Sequence, residues 1–396
     1  MRPNKILVIS LTRKGGGFEQ YTNAILEHFT LPFTIIQSAF VSDEVRRKDA
    51  KFIPTYKGKI SFIFSAIFIL PFIFLYFCLM AWKYSALFVP HFHFFNIAFI
   101  VAFRLHKKPV ILVEHDGIVH FGDELPMQQT LINHCIKRAT HLIFLSKYVH
   151  SLISPKLLKY KPVSIIPHGI FAFKGLKREE KIFTKNPTLL FFGRVSKYKG
   201  IELLLEAMQD INPQTYKKLI IAGKSSYEYS LAHLLPSVRG KIEIIDKFLS
   251  VDEIASIFNR AHILIMPYIE ASQSGVAAVG IANGIPCVCT DVGGLKEQFK
   301  LCNSFLMQYS QEFEKSAESS LITNRGGHYE FSAVPADTCA IVIKPDKTRL
   351  QEAISALTSN KQLYEALSAK TLLRAKELEW QNIARKIQEV IKSAIT

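Results

Sequence analysis

The six cysteines of this chain, Cys78, Cys135, Cys287, Cys289, Cys302 and Cys339, form no CxxC pair and keep no regular spacing. That pattern excludes a disulfide framework and a thiolate zinc site, and the cysteines read as reduced packing residues of a cytosolic protein. Cys287 and Cys289 alternate along one strand and face the same side. No zinc-finger spacing and no RNA-binding signature occurs, so no nucleic-acid partner is expected. There is no long-range internal repeat and no low-complexity tract. No secretory signal is evident, because Met1-Arg-Pro-Asn-Lys5 leads into a short apolar run that reads as a first strand. Acidic residues are scarce, with 33 Asp and Glu against 49 Lys and Arg, a net charge of +16.

What is present is apolar and basic. Hydrophobic residues make up 49% of the 396, enough for two domains that each bury a core, so disorder is not expected. The basic excess sits in the first half: residues 1–175 carry 21 Lys and Arg against 9 Asp and Glu. An anionic membrane is the partner that fits, because of Ile60 to Trp82. That run has no charged residue, is long enough to span a bilayer, is flanked by Lys57, Lys59 and Lys83, and ends in Trp82 and Tyr84. Pro71 falls in its middle, and a true span would part the two halves of one sheet. The expectation is a hydrophobic helix over 60–82 that packs on a sheet and also touches the bilayer, with a purely internal helix and a true span as the alternatives.

Apolar runs of strand length alternate with helical segments. In the first half, strands are expected at Ile6–Leu11, Phe33–Gln37, Ala86–Phe92, Val110–Glu114, His141–Leu145 and Val163–Ile166. Helices are expected at Gly17–Phe29, Phe95–Leu105 and Leu125–Arg138. The second half repeats the scheme, with strands at Leu189–Phe192, Leu219–Ala222, Ile242–Ile245, Ile263–Met266, Cys287–Thr290 and Ala340–Ile343. Such alternation implies parallel strands joined by helical crossovers, an α/β architecture. Residues 301–337 do not fit the scheme and read as a surface insertion. Ala222-Gly-Lys-Ser225 is no phosphate-binding P-loop, since Lys218 stands where its first glycine belongs.

Two stretches carry the chemistry. In Thr188 to Ala207, a buried strand ends on Gly193-Arg194, and Lys199-Gly200 opens an amphipathic helix. Two cations thus sit where a strand turns into a helix, whose amino end adds free N–H groups and partial positive charge, a corner suited to a diphosphate. In Ile263 to Glu297, a strand, a loop, a helix from near Ser274, a Gly-Ile-Pro break, a second strand and a Gly-Gly turn follow in order.

Together these stretches resemble the carboxy-terminal half of family 4 glycosyltransferases. They match its G-R-(x)n-K-G and P-(x)n-G-x-P-V-(x)n-G-G-(x)n-E patterns in order, except that Cys287 stands between Pro286 and Val288. A weaker resemblance covers nearly the whole chain. It implies the GT-B fold: two Rossmann-like doubly wound domains facing a central cleft, with the last helix crossing back onto the first domain. The implied division is an acceptor-side domain at 1–172, a linker at 173–186, a nucleotide-sugar domain at 187–374 and a crossing helix at 375–396.

The resemblance also implies roles. Arg194 and Lys199 would bind the donor diphosphate and stabilise the charge of the leaving group without a metal. The loop SLTRKGGGF, with Gly16 and Gly17, would face the donor. His115, in HDGIVHFGDE just past the strand VILVE, would lie beside the transferred sugar, with Asp116 and His120 on the acceptor side. Many members place two glutamates eight positions apart before the Gly-Ile-Pro break. Here the second position is Val279, the first falls on Ala271, and Glu270 is the nearby carboxylate. The chain looks like a subset with a Gln-Ser-Gly turn, so Gln273, Ser274, Gly275 and Val276 would bind phosphate or sugar hydroxyls. His168 reads as a packing histidine.

The expected function is a metal-independent, retaining hexosyltransferase. It would move a sugar from a nucleotide-diphosphate donor to a lipid-linked or membrane-borne acceptor, in polysaccharide or glycolipid assembly on the inner face of the cytoplasmic membrane. No cofactor is expected. The alternatives are a GT-B nucleotide-sugar epimerase and a non-catalytic membrane-binding relative.

Overall fold

The computed structural model describes residues 5–12, 17–118, 127–301 and 337–396. The insertion expected at 301–337 lies almost wholly outside the described residues. The chain divides into two compact units. One comprises Met1–Gly169 with Trp380–Thr396, and the other comprises Ile170–Glu379.

The first unit is built on a seven-stranded sheet of β1 (Ile6–Ser10), β2 (Phe33–Ser38), β3 (Lys51–Ile53), β4 (Leu87–Val89), β5 (Val110–Glu114), β6 (His141–Phe144) and β7 (Val163–Ile165). The order is β3-β2-β1-β4-β5-β6-β7, and every pairing is parallel. β1, β4 and β5 are buried along their whole length, as continuous apolar runs require when helices cover both faces. The helix Trp380–Ile395 joins this unit. Its Gln388 side chain accepts from the Thr30 and Leu31 amides at 2.8 and 3.1 Å.

The second unit carries a six-stranded sheet of β8 (Thr188–Phe192), β9 (Lys218–Ala222), β10 (Ile242–Ile245), β11 (Ile263–Met266), β12 (Cys287–Thr290) and β13 (Ala340–Ile343). Its order is β10-β9-β8-β11-β12-β13, again all parallel. In both sheets the order reverses beside the first strand, so the carboxyl ends of the strands there form the crevice where such folds bind ligands. The stretch expected as a linker packs into this unit: Lys181 N donates to Ser368 Oγ at 2.7 Å, and Asn283 Nδ2 donates to Lys177 O at 2.7 Å. Among the described residues all five cysteines are free thiols, and Cys135, Cys287, Cys289 and Cys339 are buried.

The apolar run forms one helical stretch from Lys59 to Lys83. A π-turn over Ser65–Ile69 interrupts it just before Pro71, where Leu70 N reaches back to Ser65 O. Proline has no N–H, and its ring crowds the carbonyl four residues back, so the wider turn absorbs the defect. One face is buried: Ile73, Phe77 and Ala81 join the core with Phe99 and Phe103 of the helix Asn96–Leu105, the Phe77 and Phe99 rings lying 4.7 Å apart. Another face is open, with Phe64, Phe68, Phe72, Leu75 and Leu79 all more than half exposed. A wholly internal helix is therefore not what the fold contains.

This two-sided helix makes a contrast testable by urea denaturation. Phe77→Ala empties a core site and is expected to cost about 3–5 kcal/mol. Phe72→Ala, at 73% exposure, is expected to stay within about 0.5 kcal/mol of wild type.

Candidate functional site

In the second unit the chemistry gathers where β8 turns into the helix Ile201–Gln209. Gly193 follows β8 at φ 104°, and a short 3-10 turn over Lys197–Lys199 leads to Gly200 at φ 68°. A Cβ on Gly200 would lie 1.9 Å from the Pro267 carbonyl oxygen, so only glycine fits. That contact, with Ile269 N donating to Tyr198 O at 2.7 Å, ties this corner to the loop after β11.

Lys199 is buried in the corner. Its ammonium donates to Tyr268 Oη at 2.6 Å and lies over the Tyr268 ring, 4.3 Å from the centroid. Tyr268 Oη continues to Ser274 Oγ at 3.2 Å. A Cβ on Gly193 would sit 3.3 Å from Lys199 Nζ, so that glycine makes room for the ammonium. An ammonium has three donors, and the hydrogen bonds among the described residues use one. Burial pushes the Lys199 pKa down to about 8, and the charge of Arg194 adds to the depression. Arg194 itself is exposed. The corner therefore holds one exposed and one buried cation, the buried one with donor capacity to spare.

The Gln-Ser-Gly turn precedes the helix Gly275–Asn283. Gln298 grips Ser274 from both sides: its Oε1 accepts from Ser274 N at 2.8 Å, and its Nε2 donates to Ser274 O at 3.1 Å. The Ser274 amide is thus taken, and Gly275 and Val276 supply the first-turn amides that lack an intrahelical acceptor. Gln273 Oε1 is buried with no hydrogen-bond partner among the described residues. Val279 is buried at 4% exposure within the helix and faces packing, while Glu270 is exposed on the loop beside Tyr198.

In the first unit, Gly17 opens the helix Gly17–Glu27 after β1, with no atom within 4 Å of where its Cβ would be. His115, directly past β5, is partly buried, with Nε2 2.9 Å from Pro90 O. A carbonyl can only accept, so Nε2 carries the hydrogen and Nδ1 keeps its lone pair. Burial lowers the His115 pKa, which keeps the ring neutral and makes Nδ1 an acceptor for a hydroxyl. Asp116, the next residue, is partly buried. Gly16 and His120 lie outside the described residues.

Neighbours of His115 escape a motif search. Phe18 stacks on His91 at 5.4 Å and meets His115 edge-on at 4.9 Å, and Tyr21 lies 4.8 Å from His115. Ser10 Oγ is 3.1 Å from His91 Nε2. Glu19 and Glu114 are buried, and burial raises their pKa values to about 7 and about 8, the charge of Asp116 adding to the rise at Glu114. Neither Glu19 oxygen has a hydrogen-bond partner among the described residues. The signal that could have found this group is position: Ser10, His91 and His115 follow or end β1, β4 and β5 at their carboxyl edge. His168 packs between Tyr21 and Trp380, each 5.2 Å away, and its Nδ1–H donates to Gly169 O at 2.6 Å.

Residues 186–319, which include both the Lys199 corner and the Gln-Ser-Gly turn, match the family model described as Glycosyl transferases group 1. Over that stretch the chain is similar to group 1 glycosyl transferases. An uncharacterized glycosyltransferase of Methanocaldococcus jannaschii is 33% identical over 129 residues, 32% of this chain and 31% of that protein. The matched stretches span 31–52% of the curated relatives found. Among solved structures, HepE of Anabaena in complex with UDP superposes with a TM-score of 0.66 at 12% identity, covering 98% of this chain and all of that one. Sucrose-phosphate synthase of Thermosynechococcus elongatus gives 0.62 at 15% identity, covering 98% of each chain. These likenesses show the fold, GT-B, with two parallel-sheet domains.

The Lys199 corner has a pH signature. In the free protein the Lys199 pKa is depressed, and a bound diphosphate raises it, so the protonated form binds better. Pyrophosphate affinity is expected to be complete below about pH 8 and to fall by up to tenfold per unit above it. Arg194 stays charged throughout. Calorimetric titration of wild type, Lys199→Met and Arg194→Ala checks this. The Met variant should show only the ligand's own titration, and the Ala variant should bind more weakly with the wild-type slope.

Proposed function

We propose that this protein is a retaining hexosyltransferase that takes its sugar from a nucleoside diphosphate donor. The observation that carries the reading is the buried Lys199 ammonium, held by Tyr268 with donors left over, beside exposed Arg194 at a strand-to-helix corner. Cations fixed at that place meet charge as it develops on a leaving diphosphate, and in this proposal they do so without a metal. The first-turn amides of Gly275 and Val276 and the orphan acceptor Gln273 Oε1 would complete the donor site, with Glu270 at its margin. UDP bound in the HepE complex supports a nucleoside diphosphate as ligand class.

In the reaction proposed, the bond from the anomeric carbon to the diphosphate oxygen breaks. A bond from the acceptor oxygen forms on the same face, and the acceptor proton passes to the leaving phosphate. His115 Nδ1 would accept from a sugar hydroxyl, with Asp116 on the acceptor side. No cofactor takes part.

The acceptor would be lipid-linked or membrane-borne, on the cytoplasmic face of the membrane. The support is the helical stretch Lys59–Lys83, which keeps one face in the core and leaves Phe64, Phe68, Phe72, Leu75 and Trp82 exposed. Exposed apolar area of this kind partitions into the acyl boundary of a bilayer.

Nucleoside diphosphate release from a panel of nucleotide sugars, with membrane lipid extract as acceptor, tests the reading. Arg194→Ala and Lys199→Met are expected to lower turnover by about 10²–10³-fold each. Arg194→Ala should leave the melting temperature unchanged, since that side chain is exposed. Wild-type turnover in both variants would remove the diphosphate role.

A further inference from the structure

A cavity of about 670 Å³ opens in the first unit, lined by Arg104, Lys137, Arg138, Lys159 and Lys161 together with Leu105 and Tyr160. Arg104 and Leu105 end the helix Asn96–Leu105, Lys137 and Arg138 end the helix Gln128–Arg138, and residues 159–161 lead into β7. The pocket thus lies at the amino ends of β5, β6 and β7. His115 follows the carboxyl end of β5, one strand length of roughly 16 Å away. The pocket is separate from the candidate site.

Its charge is one-sided. No aspartate or glutamate lines it, and none occurs in residues 50–113 or 125–178. Among the described residues, none of the five cations belongs to an ion pair. Backbone carbonyls hold Arg104 and Lys161 in place instead. Arg104 Nη1 donates to Lys108 O at 3.2 Å, and Lys161 Nζ donates to the Ile136, Lys137 and Ala139 carbonyls at 2.7, 2.7 and 2.8 Å. The partial negative charge of two helix ends offsets only about one of five unit charges. Burial and the nearby Arg104 lower the Lys161 pKa, as crowding of like charges would.

The rim is apolar. Leu105 is 65% and Tyr160 91% exposed, and Tyr160 holds a left-handed φ of 61°, rare for a tyrosine, with Lys159 Nζ 4.8 Å from its ring centroid. The rim continues onto the apolar helix, because His106 Nε2–H donates to Cys78 O at 2.6 Å and joins the two helix ends near exposed Leu79 and Trp82. A soluble phosphate has no use for such a rim, whereas a lipid presents an anion and acyl chains side by side.

We propose that this pocket binds the phosphate of an anionic lipid headgroup, with its cations around the phosphate and Leu105 and Tyr160 against the acyl region. The inference rests on the membrane contact proposed above and adds selectivity for anionic lipid. Sedimentation with vesicles of phosphatidylcholine, alone or mixed with phosphatidylglycerol, tests it on three proteins: wild type, Arg104→Gln/Arg138→Gln/Lys159→Gln, and Phe72→Gln/Leu75→Gln. A cation near an anionic surface contributes about fivefold in affinity. The pocket variant is therefore expected to bind mixed vesicles about 100-fold more weakly and neutral vesicles like wild type. The helix variant should weaken on both.

If wild type binds both vesicles equally and the helix variant loses both, the membrane reading stands and this inference falls. If the pocket variant alone loses binding, the inference stands and the helix contact falls. If wild type binds neither vesicle, while inorganic phosphate raises its melting temperature and not that of the pocket variant, the lipid assignment is overturned in favour of free phosphate.

Discussion

The chemistry of the second unit depends on how closely the backbone at Gly200 passes Pro267. A side chain at position 200 would reach within 1.9 Å of the Pro267 oxygen, so the connection after β8 and the connection after β11 touch as bare backbone. Ile269 N bonding to Tyr198 O holds them together. Because the two loops are joined there, Tyr268 stands over Lys199, Ser274 stands behind Tyr268, and Gln298 clamps Ser274. A flexible lysine is thereby turned into a fixed ammonium in a buried place. Its lowered pKa is the electrostatic cost of that position, which an arriving anion relieves.

The first unit follows another logic. Burial at the carboxyl edge of its sheet disfavours the charged forms of His91, Glu19 and Glu114. Desolvation lowers His91 to about 3 and raises Glu19 to about 7 and Glu114 to about 8. A largely neutral polar edge of this kind suits hydroxyls better than phosphates. At the opposite edge of the same sheet the cations are unneutralised, and the apolar helix lies alongside them. Polarity and charge are thus segregated to opposite strand ends within one unit.

Much of this was legible in the residues. Continuous β-branched and aromatic runs located twelve of the thirteen strands among the described residues. The one missed, Lys51–Ile53, is three residues long and largely exposed, too short for a pattern to show. Gly193-Arg194 and Lys199-Gly200 marked the strand-to-helix corner, since the strand, turn and helix are contiguous in the chain. What completes the corner was not visible: Tyr268 lies 69 positions from Lys199, and Gln298 lies 24 from Ser274, so those bonds arise only from packing. The π-turn before Pro71 was likewise hidden, although the proline itself was plain. In the first unit the His115 position could be read from the end of its strand, while the Phe18, Tyr21 and His91 rings around it come from separate connections.

The central claim is that the Gly193–Gly200 corner holds a donor diphosphate. Its most direct test is thermal denaturation of wild type and Arg194→Ala across a panel of nucleoside diphosphate sugars. One donor is predicted to raise the wild-type melting temperature and to leave the variant unmoved, with the two unliganded proteins melting alike. An equal shift in both proteins, or no shift with any donor, would contradict the account.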